Sequence, residues 1–210
     1  MKLVVVDYES GNLRSVSRAL ETCGVAPLVT CDPDELAEAD AVVLPGVGAG
    51  PSAMNALNER GLVQPLRDFT ASGRPFLGIC LGLQLLLDWT AEEPGASCLG
   101  IVPGQVIRLP DEQNDKSLKI PHMGWNSVAL SQEHPAFCGI ESGSYFYFVH
   151  SFYADPQDRE GVVGTTEYGL PFCSAYAKDN VVATQFHPEK SGPVGLRIYR
   201  NFVAMAAGGY

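Results

Sequence analysis

The fold is most clearly indicated by the segment Phe76-Leu77-Gly78-Ile79-Cys80-Leu81-Gly82. Residues 76–79 suit a strand that is buried on both faces, and residues 81–89 follow at once with the apolar content of a helix. Between them lies the pattern glycine–any–nucleophile–any–glycine, which is typical of a sharp turn from a strand into a helix. The segment therefore predicts that the thiol of Cys80 lies at the carboxyl end of a strand and faces the start of a helix.

Strand-like and helix-like segments alternate through the rest of the first half. Apolar runs at residues 3–7 and 41–44 predict two more buried strands. Helical spacing follows each of them, at residues 11–23 and from about residue 52 onward. This alternation implies right-handed crossovers and a mostly parallel sheet that is covered by helices on both faces.

The second half consists mainly of short β-like segments separated by Gly, Pro and Asp, which predict hairpins. These segments are residues 102–109, 127–130, 145–149, 162–166, 172–176 and 181–186. Residues 193–207 predict a closing helix, and the polar residues 111–119 predict an exposed loop. Because no linker divides the halves, we expect a single domain over residues 1–210. Its predicted class is α/β, a three-layer sandwich with a mixed, largely parallel central sheet flanked by helices and an antiparallel extension in the second half.

Charge and composition argue against several classes of function. The chain has 24 acidic and 14 basic residues, a net charge of −10, and its basic residues are scattered, whereas nucleic-acid binding needs a clustered basic face. No apolar run approaches the ~18 residues of a membrane span, and Asp7 ends the first apolar run before a signal peptide could develop. We therefore expect a cytoplasmic protein that binds neither nucleic acid nor a membrane.

The six cysteines show no C-x-x-C pair and no zinc-ligand spacing beside a histidine, so no metal site is predicted. A chain of this length needs no disulfide staples, and a reducing compartment fits it better. Five of the six are expected to be small residues that fill the core. These five are Cys23, Cys31, Cys98, Cys138 and Cys173.

A candidate partner for the sixth cysteine, Cys80, lies in the segment Gln185-Phe186-His187-Pro188-Glu189. An apolar run precedes it, so His187 is expected at the carboxyl end of a strand, where catalytic groups of open α/β sheets collect. The imidazole can take the thiol proton and return it to a leaving amine, while Glu189 orients and stabilises the imidazolium. The helix that follows Cys80 also favours the thiolate. Cys80, His187 and Glu189 form a candidate catalytic triad.

The glycine-rich segment Pro45-Gly46-Val47-Gly48-Ala49-Gly50 follows the strand at residues 41–44. Its backbone could supply a second N–H to an oxyanion, beside the N–H of Leu81. An ordinary turn is one alternative. A dinucleotide phosphate loop is another, although the spacing G-x-G-x-G is not G-x-G-x-x-G. A non-catalytic nucleotide-binding domain and a cysteine peptidase with the same triad therefore stay open as alternatives.

Residues 78–82 together with His187-Pro188-Glu189 resemble the class I (triad) glutamine amidotransferases. Within that class, further segments are similar to the glutaminase subunits of imidazole glycerol phosphate synthases from histidine biosynthesis, and the resemblance spans residues 3–202. These segments are Asp7-Tyr8, Gly11-Asn12-Leu13-Arg14-Ser15, Pro45-Gly46-Val47-Gly48, Pro121-His122-Met123-Gly124-Trp125-Asn126 and Tyr147-Phe148-Val149-His150-Ser151.

The resemblance implies an enzyme that releases ammonia from L-glutamine through a γ-glutamyl thioester on Cys80, without a cofactor. It implies that the oxyanion is held by Leu81 N–H and by a peptide N–H of the Val47–Gly48 turn. The residues it implies for glutamine binding are Gly46, Gln84, Ser151 and Phe152.

The same resemblance implies a heterodimer with a (β/α)₈-barrel cyclase subunit. That partner would use the ammonia to make imidazole glycerol phosphate and an aminoimidazole carboxamide ribotide. The implied interface residues are Asn12, Arg14, Met123, Trp125 and Lys190, although Trp125 could equally be a buried core residue. The glutaminase subunit of another synthase, such as pyridoxal phosphate synthase, stays open, and residues 121–126 argue against it.

Overall fold

A computed structural model describes residues 1–9, 11–110 and 118–208, so most of the loop expected at residues 111–119 lies outside the described residues. The strands are β1 Leu3–Val6, β2 Leu28–Thr30, β3 Ala41–Gly46, β4 Phe76–Cys80, β5 Trp89–Thr90, β6 Ala96–Ser97, β7 Gly104–Arg108, β8 His122–Leu130, β9 Ser144–His150, β10 Phe152–Pro156, β11 Val162–Glu167, β12 Pro171–Lys178 and β13 Val181–Thr184. The helices are α1 Leu13–Thr22, α2 Pro33–Ala37, α3 Gly50–Glu59, α4 Val63–Ala71, α5 Leu81–Gln84 and α6 Gly192–Ala206, with 3₁₀ turns at Pro135–Phe137 and Pro188–Lys190.

The central sheet has nine strands in the order β2-β1-β3-β4-β13-β12-β11-β8-β9. The strands from β2 to β13 are parallel to one another, and those from β13 to β9 pair in antiparallel fashion. The predicted mixed α/β sheet with an antiparallel extension is therefore confirmed. Because β4 and β13 are adjacent and parallel, their carboxyl ends bring Cys80 and His187 to the same edge of the sheet.

Two apolar layers hold the helices on opposite faces of this sheet. Alternate residues of each central strand face opposite sides, so Phe76 packs in one layer and Leu77 in the other. Helices α2, α3 and α4 cover the first face, and α1 and α6 cover the second. Each large side chain that is fully buried here stabilises the fold by roughly 1.5–3 kcal/mol, which keeps the strand ends of the site on a rigid base.

A second, four-stranded sheet in the order β10-β7-β5-β6 was not expected from the sequence. The segment at residues 102–109 was correctly predicted as β structure, but as β7 it pairs with β10 outside the central sheet. Strands β2 and β10 were also missed, because their short segments lack clear alternation. The helical region from about residue 52 is split into α3 and α4, with Gly61 between them at a φ of +65°.

The prediction of a helix over residues 81–89 is wrong, because α5 ends at Gln84. The backbone N–H groups of Leu86 and Leu87 bond only three residues back, to Leu83 and Gln84. The carbonyl oxygen of Leu86 instead accepts from the N–H groups of Ile101 and Val102, at 2.9 Å each. Tertiary pairing with the following loop therefore replaces the helical hydrogen bonds that the apolar sequence had indicated.

All six cysteines are free thiols, but the expectation that five of them fill the core is only partly right. Cys98 and Cys173 are buried, Cys23 is half-buried, and Cys31 and Cys138 are exposed. Of the helices in the described part of the chain, none combines the length and the apolar character that a bilayer crossing requires.

Candidate active site

Cys80 occupies a strained turn between β4 and α5. Its φ of +54° lies in the left-handed region, which costs a non-glycine residue of the order of 1–3 kcal/mol. The two flanking glycines make the turn possible. A Cβ at Gly82 would overlap the carbonyl oxygen of Leu44, and a Cβ at Gly78 would lie 2.9 Å from the carbonyl oxygen of Gly82. The pattern of residues 78–82 is thus dictated by close backbone packing around the thiol.

The short length of α5 changes the electrostatic explanation for a reactive thiol. A helix macrodipole grows with the number of aligned peptide units, and α5 has only four residues. The dipole support expected from a helix through residue 89 is therefore reduced. Side chains around the Cys80 sulfur must supply more of the stabilisation of a thiolate.

His187 and Glu189 form a buried ion pair beside this turn. His187 Nδ1 lies 2.8 Å from Glu189 Oε1, and the two side chains are 2% and 1% exposed. Because an ionised carboxylate only accepts, Nδ1 donates, and Nε2 is the ring nitrogen that remains for proton exchange. The backbone is held as well, because His187 N–H donates to Tyr147 O at 2.9 Å and Ser191 Oγ donates to His187 O at 2.6 Å.

The charge balance of the pair favours an imidazolium. Burial by itself lowers the pKa of His187, but the nearby Cys80 sulfur and the Glu189 carboxylate together outweigh burial and raise that pKa above its ordinary value. Among the described residues, no hydrogen bond of standard geometry reaches His187 Nε2. The Cys80 sulfur and the Glu189 carboxylate nevertheless act on the ring electrostatically, which favours the protonated form of His187.

Two other groups approach the sulfur. Gln185 Nε2 donates to Cys80 Sγ at 3.7 Å, and the carbonyl oxygen of Val149 lies 4.0 Å from the sulfur. The Gln185 side chain is fully buried and its Oε1 accepts from Gln84 Nε2 at 3.2 Å. Gln84 Nε2 also donates to Phe152 O at 2.7 Å. A chain of amides therefore joins the sulfur to the wall of a pocket.

That pocket, of about 370 Å³, opens beside Cys80 and suits a small amino-acid side chain. It brings together six residues that the sequence had singled out, which are Val47, Gly48, Leu81, Gln84, Ser151 and Phe152. His187 and Glu189 do not line it, because they lie buried behind the sulfur. The pocket therefore gives a substrate access to the thiol while the base stays shielded from water.

The glycine-rich segment forms one side of this pocket. Gly46 is the register partner of Cys80 in the β3–β4 pair, and a Cβ at Gly46 would overlap the Tyr8 hydroxyl. Gly46 thus lies beneath the pocket and not on its lining. Gly48 has a φ of +98°, a conformation that glycine adopts readily. The Val47–Gly48 peptide lines the same pocket as Cys80.

A directed chain of hydrogen bonds supports the opposite wall. Asn126 Nδ2 donates to His122 Nε2 at 3.3 Å, so His122 carries its proton on Nδ1 and donates to His150 Nε2 at 2.9 Å. His150 therefore carries its proton on Nδ1 and donates to Phe152 O at 2.9 Å. Burial lowers the pKa of His122 to about 4 and that of His150 to about 3. Both rings are neutral at pH 7, as this chain requires.

The five residues expected at a partner interface are all at least partly accessible. Met123 and Trp125 are 65% and 56% exposed, so the alternative that Trp125 is a core residue is wrong. They lie on one face of β8 and β9 with Tyr145 and Tyr147, and we name these four residues the β8–β9 patch. Lys190 Nζ lies 5.7 Å from the Tyr147 ring centroid. Asn12 and Arg14 lie apart, at the start of α1.

Sequence reasoning missed three residues of the site. Gln185 contacts the sulfur, His150 lines the pocket, and Glu92 lines it too while its Oε2 accepts from Gly50 N at 2.6 Å. Gln185 and His150 lie in segments that the sequence had singled out, residues 185–189 and 147–151, but no role had been assigned to either, and Glu92 carried no sequence signal. Within the described chain, no group of three or more His, Cys, Asp or Glu side chains could hold a metal ion.

Comparison with known proteins identifies close relatives. Residues 4–206 match the model of the family described as glutamine amidotransferase class-I. The imidazole glycerol phosphate synthase subunit HisH of Syntrophotalea carbinolica is 50% identical over 95% of this chain and 98% of its own length. The subunit of the same name from Methanothermobacter thermautotrophicus is 49% identical, over 96% of this chain and 97% of its own length.

Solved structures share the fold at lower identity. PurLQS from Thermotoga maritima superposes with a TM-score of 0.74 at 20% identity, covering 97% of this chain and 98% of that one. The glutaminase domain of CTPS from Trypanosoma brucei, solved with acivicin, gives a TM-score of 0.69 at 18% identity, covering 99% and 94%. These similarities support the architecture.

Proposed function

The chain belongs to the class-I glutamine amidotransferases, and on that premise we propose that it hydrolyses L-glutamine with Cys80, His187 and Glu189 as its catalytic triad. It is the glutaminase subunit of an imidazole glycerol phosphate synthase, the enzyme named in its relatives, and serves histidine biosynthesis. The observation that carries the triad is the joining of β4 and β13 in parallel, because their carboxyl ends bring the thiol and the imidazole to one edge of the sheet.

Glutamine binds in the pocket beside the sulfur. Both hydrogens of the Gln84 amide are used, by Phe152 O and Gln185 Oε1, so Gln84 Oε1 is left to accept from the substrate. The Glu92 carboxylate in the same pocket suits the α-ammonium group of glutamine. Because Gly46 has no side chain, the backbone beneath the pocket can lie close to the bound glutamine. Backbone groups of Ser151 and Phe152 complete the wall. These contacts hold the side-chain amide against Cys80 Sγ.

In the first half-reaction, the Cys80 thiolate attacks the δ-carbon of glutamine and forms a tetrahedral oxyanion. Leu81 N–H and the N–H of the Val47–Gly48 peptide stabilise that oxyanion. His187 Nε2 then gives its proton to the nitrogen as the C–N bond breaks, so ammonia leaves and a γ-glutamyl thioester remains.

In the second half-reaction, His187 takes a proton from water, and the resulting hydroxide attacks the thioester carbon. The same N–H groups hold the second oxyanion. When the C–S bond breaks, its electron pair returns to the sulfur and glutamate leaves the pocket. The Glu189 carboxylate keeps Nδ1 protonated throughout, so Nε2 alternates between acid and base.

We further propose that the synthase partner is a (β/α)₈-barrel cyclase that receives the ammonia and forms a heterodimer with this chain. Free ammonia would be protonated in water and lost as a nucleophile, which favours transfer within a complex. The β8–β9 patch exposes several large apolar side chains, as protein interfaces commonly do. Lys190 would supply a polar contact beside it, and Asn12 and Arg14 would contact the partner separately, from the start of α1.

The chain is proposed to work as one domain over residues 1–210, in the cytoplasm. Strands from both halves of the chain enter the nine-stranded sheet, which supports a single folding unit. Six free thiols support a reducing compartment.

A chloroketone analogue of L-glutamine tests this assignment. We expect stoichiometric alkylation of Cys80, located by peptide mass spectrometry, and slower alkylation in the presence of L-glutamine. Cys138→Ala, which removes an exposed thiol, is the matched control and should still be labelled at Cys80. Protection by a peptide substrate and not by glutamine would favour the cysteine peptidase alternative, and label on cysteines other than Cys80 would contradict the triad.

A further inference from the structure

The Gln185 side chain is a buried amide with an unusual position. It follows β13 directly, it is fully shielded from solvent, and its backbone N–H is already used by Ser174 O at 2.9 Å. Burying an amide without hydrogen bonds costs at least about 1–3 kcal/mol. Its side-chain partners are Cys80 Sγ and Gln84 Nε2, so both of its bonds point into the site.

The orientation of this amide is fixed by its neighbours. Phe152 O can only accept, so the group of Gln84 that lies 2.7 Å from it is the NH₂ group. The same NH₂ group faces Gln185 at 3.2 Å, which requires the oxygen of Gln185 on that side. The nitrogen of Gln185 must then face the sulfur. Flipping this amide would set two NH₂ groups against each other and a carbonyl oxygen against the thiolate.

We propose that Gln185 is a further catalytic residue, whose Nε2–H stabilises the Cys80 thiolate while its Oε1 positions the amide of Gln84 for the substrate. The proposal rests on the function proposed above. Helix α5 is too short to supply a large dipole, so the negative sulfur depends on side chains around it. The Gln185 amide is a neutral donor, so it stabilises the negative charge on sulfur without replacing His187 as the charged partner of that sulfur.

The same hydrogen bond acts twice in each turnover. It holds the resting thiolate before the C–S bond forms. It weakens when sulfur becomes part of the neutral thioester, which is a poor acceptor. It strengthens again when the C–S bond breaks in the second half-reaction and the electron pair returns to sulfur. Because the bond strengthens as the thiolate leaves in the second half-reaction, removing the donor should slow that step and lower kcat more than it changes KM.

The test measures the rate of Cys80 alkylation by iodoacetamide as a function of pH, together with glutaminase kinetics, in the intact synthase. Gln185→Met keeps the side-chain length and removes the donor. We expect its alkylation midpoint to move upward by about one pH unit and kcat to fall about ten-fold, since hydrogen bonds to charged groups carry that magnitude.

Gln185→Glu keeps the size and an oxygen for Gln84, and its midpoint should also rise, because a carboxylate repels the thiolate. The matched control is Thr184→Val, a fully buried neighbour on β13 that bonds Phe186 O. Thr184→Val should keep the wild-type midpoint of alkylation. If the shifts came from a general packing defect, this variant would shift the midpoint as well. A wild-type midpoint and kcat in either folded Gln185 variant overturns the proposal. Glutaminase activity in Cys80→Ala would instead overturn the triad itself.

Discussion

At the scale of single residues, the site depends on which histidine nitrogens carry protons and on the direction in which each hydrogen bond is donated. Glu189 fixes which nitrogen of His187 is protonated, and Asn126 does the same for His122 and His150 in turn. The Asn126 amide is itself oriented, because its Oδ1 accepts from Ser127 N at 2.8 Å. Two of these histidines are held neutral, while His187 favours the charged form.

The two neutral histidines, His122 and His150, make the stability of the folded protein depend on pH. The folded-state pKa of His122 is about 4, below its unfolded value of about 6.5, so the unfolded chain binds more protons between those values. Stability is therefore lost as pH falls through this window. In His122→Gln, we expect the slope of unfolding free energy against pH, between pH 4.5 and 6, to decrease by about 1 kcal/mol per pH unit.

Urea unfolding at several pH values measures this slope. His134→Gln is a matched control, because burial lowers the pKa of His134 as well but that residue caps a 3₁₀ turn, where its ring accepts from Ala136 N–H, outside the pocket wall. It should change the slope less. An unchanged slope in His122→Gln would mean that the ring is not neutral in the folded protein.

At the scale of elements, the sequence predicted the strand–turn–helix unit around Cys80 because that unit is local. The glycines at positions 78 and 82 indicate that the backbone packs closely there, and the apolar runs of β3, β4 and β13 indicate buried strands. The end of α5 could not be predicted in this way, since it is set by hydrogen bonds with residues 99–102 that no local pattern records. The role of Gln185 escaped prediction for the same reason, because its partners lie more than 100 positions away.

Substituting Gly82 tests the close contact of α5 with β3. In Gly82→Ala, the added Cβ meets the carbonyl oxygen of Leu44, so we expect a loss of about 1–3 kcal/mol of unfolding free energy and a large loss of glutaminase activity. Gly24→Ala is the control, because it has open space around it but a φ of +88°. That variant should lose roughly 1 kcal/mol through backbone strain and keep its activity. Equal activity in both variants would contradict the steric account.

At the scale of the whole molecule, the order of the strands separates two surfaces. Strand β2 ends the central sheet on one side, and β8 and β9 end it on the other. The parallel half of the sheet was predictable from alternation along the chain. The separate four-stranded sheet was not, because pairing between β7 and β10 joins segments that are distant in sequence.

The two sheet edges offer a matched test of the proposed cyclase interface. Trp125→Ala removes a large exposed ring from the β8–β9 patch, and we expect cyclase binding to weaken at least ten-fold, as at interface hot spots. Leu28→Ala on β2 removes an apolar group that is 40% exposed and should leave binding unchanged. Isothermal titration with the cyclase measures both. Equal affinities would move the interface away from this patch.

The most direct test of the triad compares two nitrogen sources in the reconstituted synthase carrying Cys80→Ala. With glutamine as the source, formation of imidazole glycerol phosphate should fall to background, because no thioester can form. With ammonium salts at a pH that supplies free ammonia, it should match the wild-type complex, since the cyclase is untouched. Glutamine-dependent synthesis that persists within a few-fold of wild type would contradict the assignment of Cys80 as the nucleophile.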